Sequence, residues 1–154
     1  MKLTILAVGR LSRSPEVDLV KTYVDRATAA GRALGLGPVE VLEVESRKPG
    51  KAAEAEVLRP HLAGAHVMAC DEHGAAYTSR AFAAELGRIR DKGARRMVMM
   101  IGGADGLDPE LLAAANSKLA FGPQTWPHAL ARVMLAEQVY RAVTILAGGP
   151  YHRD

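Results

Sequence analysis

The run Met97-Val98-Met99-Met100-Ile101-Gly102-Gly103 limits the possible folds of this chain more than any other stretch. Five apolar residues in a row are too few for a helix of their own and read as a strand buried on both faces. The strand leads straight into Gly102-Gly103-Ala104-Asp105-Gly106. There the missing side chains permit a sharp turn and let a ligand come close to the backbone. Asp108 then caps a helix whose first position is Pro109. Strand, glycine loop and helix start, in that order, predict a ligand-binding edge of an α/β sheet.

The remaining chain supplies further strands and helices in alternation. Lys2 to Val8 reads as the first strand, closed by Gly9, and Ser14-Pro15-Glu16 opens a helix buried through Val17, Val20, Val24 and Ala27. Val39 to Val44 is the second strand, Ala52 to Arg59 a helix, and Ala65 to Cys70 the third strand, with Asp71-Glu-His-Gly74 as a turn at its end. Thr78-Ser79 caps a helix to about Lys92, with Phe82, Leu86 and Ile89 inward and Gly93 as its stop. After the central strand come the short apolar piece Leu119-Ala-Phe121 and the stiff loop Gly122-Pro-Gln-Thr-Trp-Pro127. Ala129 to about Leu146 is the longest helix, apolar around most of its circumference, which predicts two partners: its own sheet and a second subunit. Glu137 and Arg141, one turn apart, read as an ordinary ion pair. This alternation predicts a parallel-sheet α/β/α sandwich, and the absence of repeats or linkers predicts a single domain over residues 1–154.

Composition narrows the function classes. Cys70 is the only cysteine, so no disulfide framework and no cysteine-based zinc site is expected, and a cytoplasmic location fits. The five histidines show no metal-ligand spacing, and no metal is expected. No apolar run approaches transmembrane length, and the first residues lack a signal-peptide pattern, so no membrane partner is expected. Twenty Lys plus Arg against seventeen Asp plus Glu leave a formal +3, which permits a polyanionic partner without requiring one. Glu45-Ser-Arg-Lys-Pro-Gly-Lys51 reads either as a solvated loop or as a phosphate-contacting one.

Three ligand-facing pieces fall at strand ends: Cys70 to Gly74, Gly102 to Gly106 and Phe121 to Trp126. The glycine loop is neither a dinucleotide fingerprint nor a phosphate loop, since it lacks G-x-G-x-x-G and no G-K-[ST] follows. Cys70, ending a buried strand, reads as a small core residue rather than a nucleophile. Gly148-Gly149-Pro150-Tyr151-His152-Arg153 hinges off the last helix and carries an aromatic, a titratable base and a cation, a trio able to stack a base, steer a proton and neutralise an anion.

Taken in series, Ile101-Gly-Gly-x-x-Gly106, Thr125-x-Pro-His-x-Leu-x-Arg132, Glu137-Gln-x-Tyr-Arg-Ala142 and Pro150-Tyr-His-Arg153 resemble the bacterial ribosomal RNA large subunit methyltransferase H family. Leu6-Ala-Val-Gly9 and Asp71-x-x-Gly74 with Ser79-x-x-Phe82-Ala83 extend the similarity over the whole chain. The resemblance implies a SPOUT-class enzyme that methylates N3 of a pseudouridine in 23S rRNA. It further implies a trefoil knot in the C-terminal half, a homodimer, and S-adenosylmethionine bound bent among the knot loops. Carried over, the cofactor contacts are Cys70, Gly102, Gly103, Gly106, Phe121, Gly122, Pro123, Gln124, Thr125 and Trp126. Family members usually have leucine at the position of Cys70 and Leu-Ser at that of Phe121-Gly122.

The tail, reaching the partner subunit's cofactor, carries the substrate contacts through Tyr151, His152 and Arg153, with His152 assisting removal of the N3 proton and Arg153 or Arg132 stabilising the anion. With no separate RNA-binding domain, the expected substrate is 23S rRNA within the large subunit or whole ribosome. The rival readings are a non-enzymatic ribosome-associated RNA-binding module and a nucleotide-binding oxidoreductase. The second is disfavoured because no acidic residue follows the glycine loop at the distance needed to hold a ribose.

Overall fold

The computed structural model describes residues 1–153; Asp154 lies outside the described residues. Along the chain run β1 (Lys2–Val8), α1 (Pro15–Gly31), β2 (Val39–Val44), α2 (Lys51–Leu58), β3 (His66–Ala75), α3 (Ser79–Asp91), β4 (Arg96–Ile101), α4 (Pro109–Ala114), β5 (Ser117–Leu119) and α5 (His128–Leu146). The strands form one parallel sheet in the order β2-β1-β4-β3-β5.

Local chemistry sets most boundaries. Ser14 Oγ accepts from the Val17 N–H, Thr78 Oγ1 from the Ala81 N–H and an Asp108 carboxylate oxygen from the Glu110 N–H, so three helices start where the sequence offers a cap. β1 and β4 lie inside the sheet, and their side chains alternate between two cores. Leu3, Ile5, Met97, Met99 and Ile101 face α1, α3 and α5, while Leu6, Val8, Val98 and Met100 face α2 and α4. Each of these large side chains contributes about 1.5–3 kcal/mol through burial.

One expectation is corrected. Asp71 to Gly74 is not a turn beyond the third strand, because β3 runs on to Ala75. The reason is its neighbour: Cys70 and Ala75 both lie opposite Leu119, so residues 71–74 bulge out of register while the strand resumes pairing beyond them. Within the chain, α1 and α3 pack along the sides of α5 and the sheet lies beneath it. Leu130 alone among its large apolar residues stays strongly exposed, at 41%.

The carboxyl ends of β4, β3 and β5 are neighbours, so the loops after Ile101, Ala75 and Leu119 meet at one edge. Two glycines are required there by proximity. A Cβ on Gly74 would lie 2.7 Å from the Leu119 carbonyl carbon, and one on Gly102 would lie 2.7 Å from that of Gly106. Both obstacles are backbone and cannot rotate away. Gly74→Ala is expected to lower unfolding stability by about 1–3 kcal/mol in urea titration; stability equal to the parent's would show that β3 and β5 do not approach this closely in solution.

Candidate functional site

A cavity of about 540 Å³ opens beside this edge, between α1, α5, the start of α3 and the segment after β5. Its walls include Tyr23, Tyr77, Phe82, Leu119, Phe121 and Val133, and its polar groups are Ser79, Glu137, Gln138 and Arg141. A mainly apolar hollow with a few convergent polar groups is the usual form of a small-molecule site. Burying Phe82 and Leu119 in the core fixes one wall, and the four-residue spacing of α5 turns Glu137 and Arg141 to the same side.

Glu137 is the centre of the polar group. One of its carboxylate oxygens accepts from Arg141 Nε at 3.0 Å, from Arg141 Nη2 at 2.5 Å and from the Tyr151 hydroxyl at 3.0 Å. The other accepts from Gln138 Nε2 at 2.8 Å, and the Gln138 amide oxygen accepts from Ser79 Oγ at 2.8 Å. Its bond to Glu137 holds the Arg141 guanidinium above its ordinary pKa, and burial, joined by the Glu137 carboxylate, raises the Tyr151 phenol.

The tail is therefore packed against its own chain. The Tyr151 ring lies 4.6 Å from that of Tyr140, which in turn lies 6.1 Å from Tyr23, and the Arg141 guanidinium carbon sits 4.8 Å from the Tyr151 ring centre. Arg141 Nη1 is 3.2 Å from His152 Nδ1. A guanidinium only donates, so Nδ1 accepts and a neutral ring carries its proton on Nε2. Arg153 is exposed. Gly148, at φ +68°, makes the bend that returns the chain to α5.

Of the residues expected to meet a cofactor, Phe121 and Gly122 line this cavity; Cys70, Gly102, Gly103, Gly106 and Pro123 to Trp126 do not. The Trp126 indole N–H donates to the Phe121 carbonyl at 3.2 Å and closes the 121–126 loop on itself. Burial pushes the Cys70 thiol up to about 12, so it is protonated at neutral pH and no nucleophile. The Gly103 N–H donates to Glu54 of α2 at 3.3 Å, and a Cβ at Gly103 would lie 2.5 Å from a Glu54 carboxylate oxygen.

Arg132 stands apart from the tail residues it was grouped with. It is fully buried; Nη1 donates to Glu43 at 2.6 Å and Nη2 to the Gly9 carbonyl at 3.0 Å. Burial lowers its pKa, opposed by Glu43. Tied this way it joins α5 to β1 and β2. No sequence signal pairs it with Glu43, 89 residues away. Nor does any local signal join Glu54 to the glycine loop.

Among the described residues no group of three His, Cys, Asp or Glu could hold a metal ion, and no helix is long and apolar enough to cross a membrane.

Comparison with known proteins places this geometry in company. Residues 1–152 match the family described as "Predicted SPOUT methyltransferase". The ribosomal RNA large subunit methyltransferase H of Phenylobacterium zucineum is 77% identical over 154 residues, covering all of both chains. Its counterpart in Methylocella silvestris is 51% identical over 160 aligned residues, again covering all of both. A probable methyltransferase from Bordetella pertussis shares the fold, with a TM-score of 0.54 at 18% identity over 92% of this chain and 96% of that one.

Two substitutions test the site. Glu137→Gln is expected to cost about 1.5–3 kcal/mol and to speed amide hydrogen exchange in residues 148–153, because charged acceptors for Arg141 and Tyr151 are lost together; unchanged exchange there would detach the tail from Glu137. Arg132→Ala is expected to cost about 3–5 kcal/mol in chemical denaturation, since it strands the Glu43 carboxylate.

Proposed function

The chain belongs to the ribosomal RNA large subunit methyltransferase H family of SPOUT methyltransferases, and from that premise we propose that it moves a methyl group from S-adenosylmethionine to N3 of a pseudouridine in 23S rRNA, as a homodimer acting on the assembled ribosome. The observation that carries this reading is the meeting of a nucleoside-sized hollow under Phe121-Gly122 with the docked Tyr151-His152 tail at the carboxyl edge of a parallel sheet.

The residues suit such a donor. The hollow falls within the range of small-molecule sites, and its aromatic walls suit a nucleoside. When bound, the donor supplies an electrophilic methyl group on a sulfonium. The chain supplies alignment, which is worth about 7–11 kcal/mol in reactions of this kind. Tyr151 and Arg141 offer a stacked aromatic and cationic pair for a base, and exposed Arg153 offers charge to the imide anion left when N3 loses its proton. His152 takes that proton in this reading, and to do so at Nδ1 it must give up the bond from Arg141.

The same premise carries the trefoil knot. Its support is the close passage of the chain by residues 70–77, where Leu119 faces both Cys70 and Ala75 and the Ala120 N–H donates to the Ala75 carbonyl at 3.0 Å. For the second copy, the support is the exposed apolar set Leu19, Trp126 and Leu130 on α1, the 121–127 loop and α5.

Calorimetric titration with S-adenosylmethionine is expected to show saturable binding, and labelled methyl groups are expected to enter intact ribosomes in preference to naked rRNA. Absence of both would leave a non-enzymatic RNA-binding module. His152→Ala is expected to lower kcat about 10²–10⁴-fold, and retention of the parent's kcat from about pH 6 to about pH 9 would remove His152 as the base.

A further inference from the structure

Two loops leave the carboxyl ends of β1 and β2 side by side. The Gly9 N–H donates to the Val44 carbonyl at 2.8 Å, the Leu11 N–H to Glu43 Oε1 at 3.2 Å, and Arg10 pairs with Glu45 at 3.3 Å. Ser46 Oγ donates to the Lys48 carbonyl and accepts from the Lys48 N–H, at 2.7 and 3.2 Å, so the second loop is a formed turn rather than a loose one. These contacts hold Arg13, Arg47, Lys48 and Lys51 on neighbouring loops. All four are exposed, and none forms an ion pair among the described residues. Lys51 opens α2, and one turn later Glu54 accepts from the Gly103 N–H, which sets the cation group next to the glycine loop.

We propose that these two loops form one phosphate-binding surface, with Arg13, Arg47, Lys48 and Lys51 gripping the sugar–phosphate backbone of ribosomal RNA on the glycine-loop side of the sheet's carboxyl edge. The proposal rests on the methyltransferase reading above and adds where the RNA is held. A chain of 154 residues at formal +3 has little long-range pull on a polyanion, so contact must come from cations already gathered. Exposed ammonium and guanidinium groups without carboxylate partners lose little on meeting phosphate, and each releases counterions from the RNA. Leu11, the one large apolar residue of the two loops, is half-buried, so they offer nothing to insert into a lipid bilayer.

The test uses the full chain carrying R13Q, R47Q, K48Q and K51Q together, with R32Q, K92Q and R95Q as a control at the opposite edge of the sheet. Filter retention of large ribosomal subunits is measured from about 50 to about 200 mM salt without methyl donor. The four-site variant is expected to bind at least about tenfold more weakly at low salt. Its plot of log affinity against log salt should flatten by about 0.7 per lost contact, or about 3 in all. The control should keep the parent's slope, and calorimetry with S-adenosylmethionine should be the same for all three proteins. Equal slopes for parent and four-site variant, equal losses in the control, or no retention of the parent would each overturn the proposal. So would parent binding to phosphatidylserine vesicles that the four-site variant loses, which would assign the surface to lipid. A parent that binds subunits with the expected slope yet neither takes up the donor nor transfers methyl would sink the enzymatic reading alone.

Discussion

The guanidinium of Arg132 is buried among three separate parts of the chain, holding the Glu43 carboxylate of β2 and the Gly9 carbonyl just after β1 from the first half of α5. Desolvating a cation is costly, and the cost is offset here because Glu43 supplies the countercharge and two backbone carbonyls supply acceptors. Everything downstream on α5 inherits that position. Glu137 and Arg141 lie about one and a half and two and a half turns beyond it, on the helix whose rotation this clasp fixes, and Val133 and Met134 form the cavity wall directly after it. The same Glu43 oxygen takes the Leu11 N–H, so one carboxylate also sets the path of the loop after β1.

How much of this could be read from the residues depends on how local the cause is. Ser14, Thr78 and Asp108 act on backbone groups two or three positions away, and each helix they cap starts where the sequence says it should. The Met97–Ile101 run is buried on both faces because no other arrangement suits five apolar residues between two helical segments. The bulge at 71–74 was not legible, because its cause is Leu119, nearly fifty residues later. An arginine in a motif carries no mark of burial, and the burial of Arg132 comes from the placement of Glu43. The tail's content was legible and its resting place was not, because Tyr23, Tyr140 and Glu137 are assembled by packing between α1 and α5.

The cavity and the glycine loop share an edge of the sheet without sharing walls. Phe121 and Gly122 line the hollow, while Gly102 and Gly103 lie toward α2, where Glu54 fills the space that a side chain on Gly103 would need. The edge thus has an apolar, aromatic side under α5 and a charged side under α2, with the backbone of β4's loop between them.

A single oxygen of Glu137 serves both Arg141 and the hydroxyl of Tyr151. Two donors on one acceptor do not act independently: taking away the phenol leaves the guanidinium a freer oxygen, and taking away the guanidinium leaves the phenol against an anion with less of its charge neutralised. The effects of altering positions 141 and 151 will therefore not sum. Such epistasis ties the last residues of the polypeptide to the helix before them, so sequence drift in one narrows what the other can tolerate.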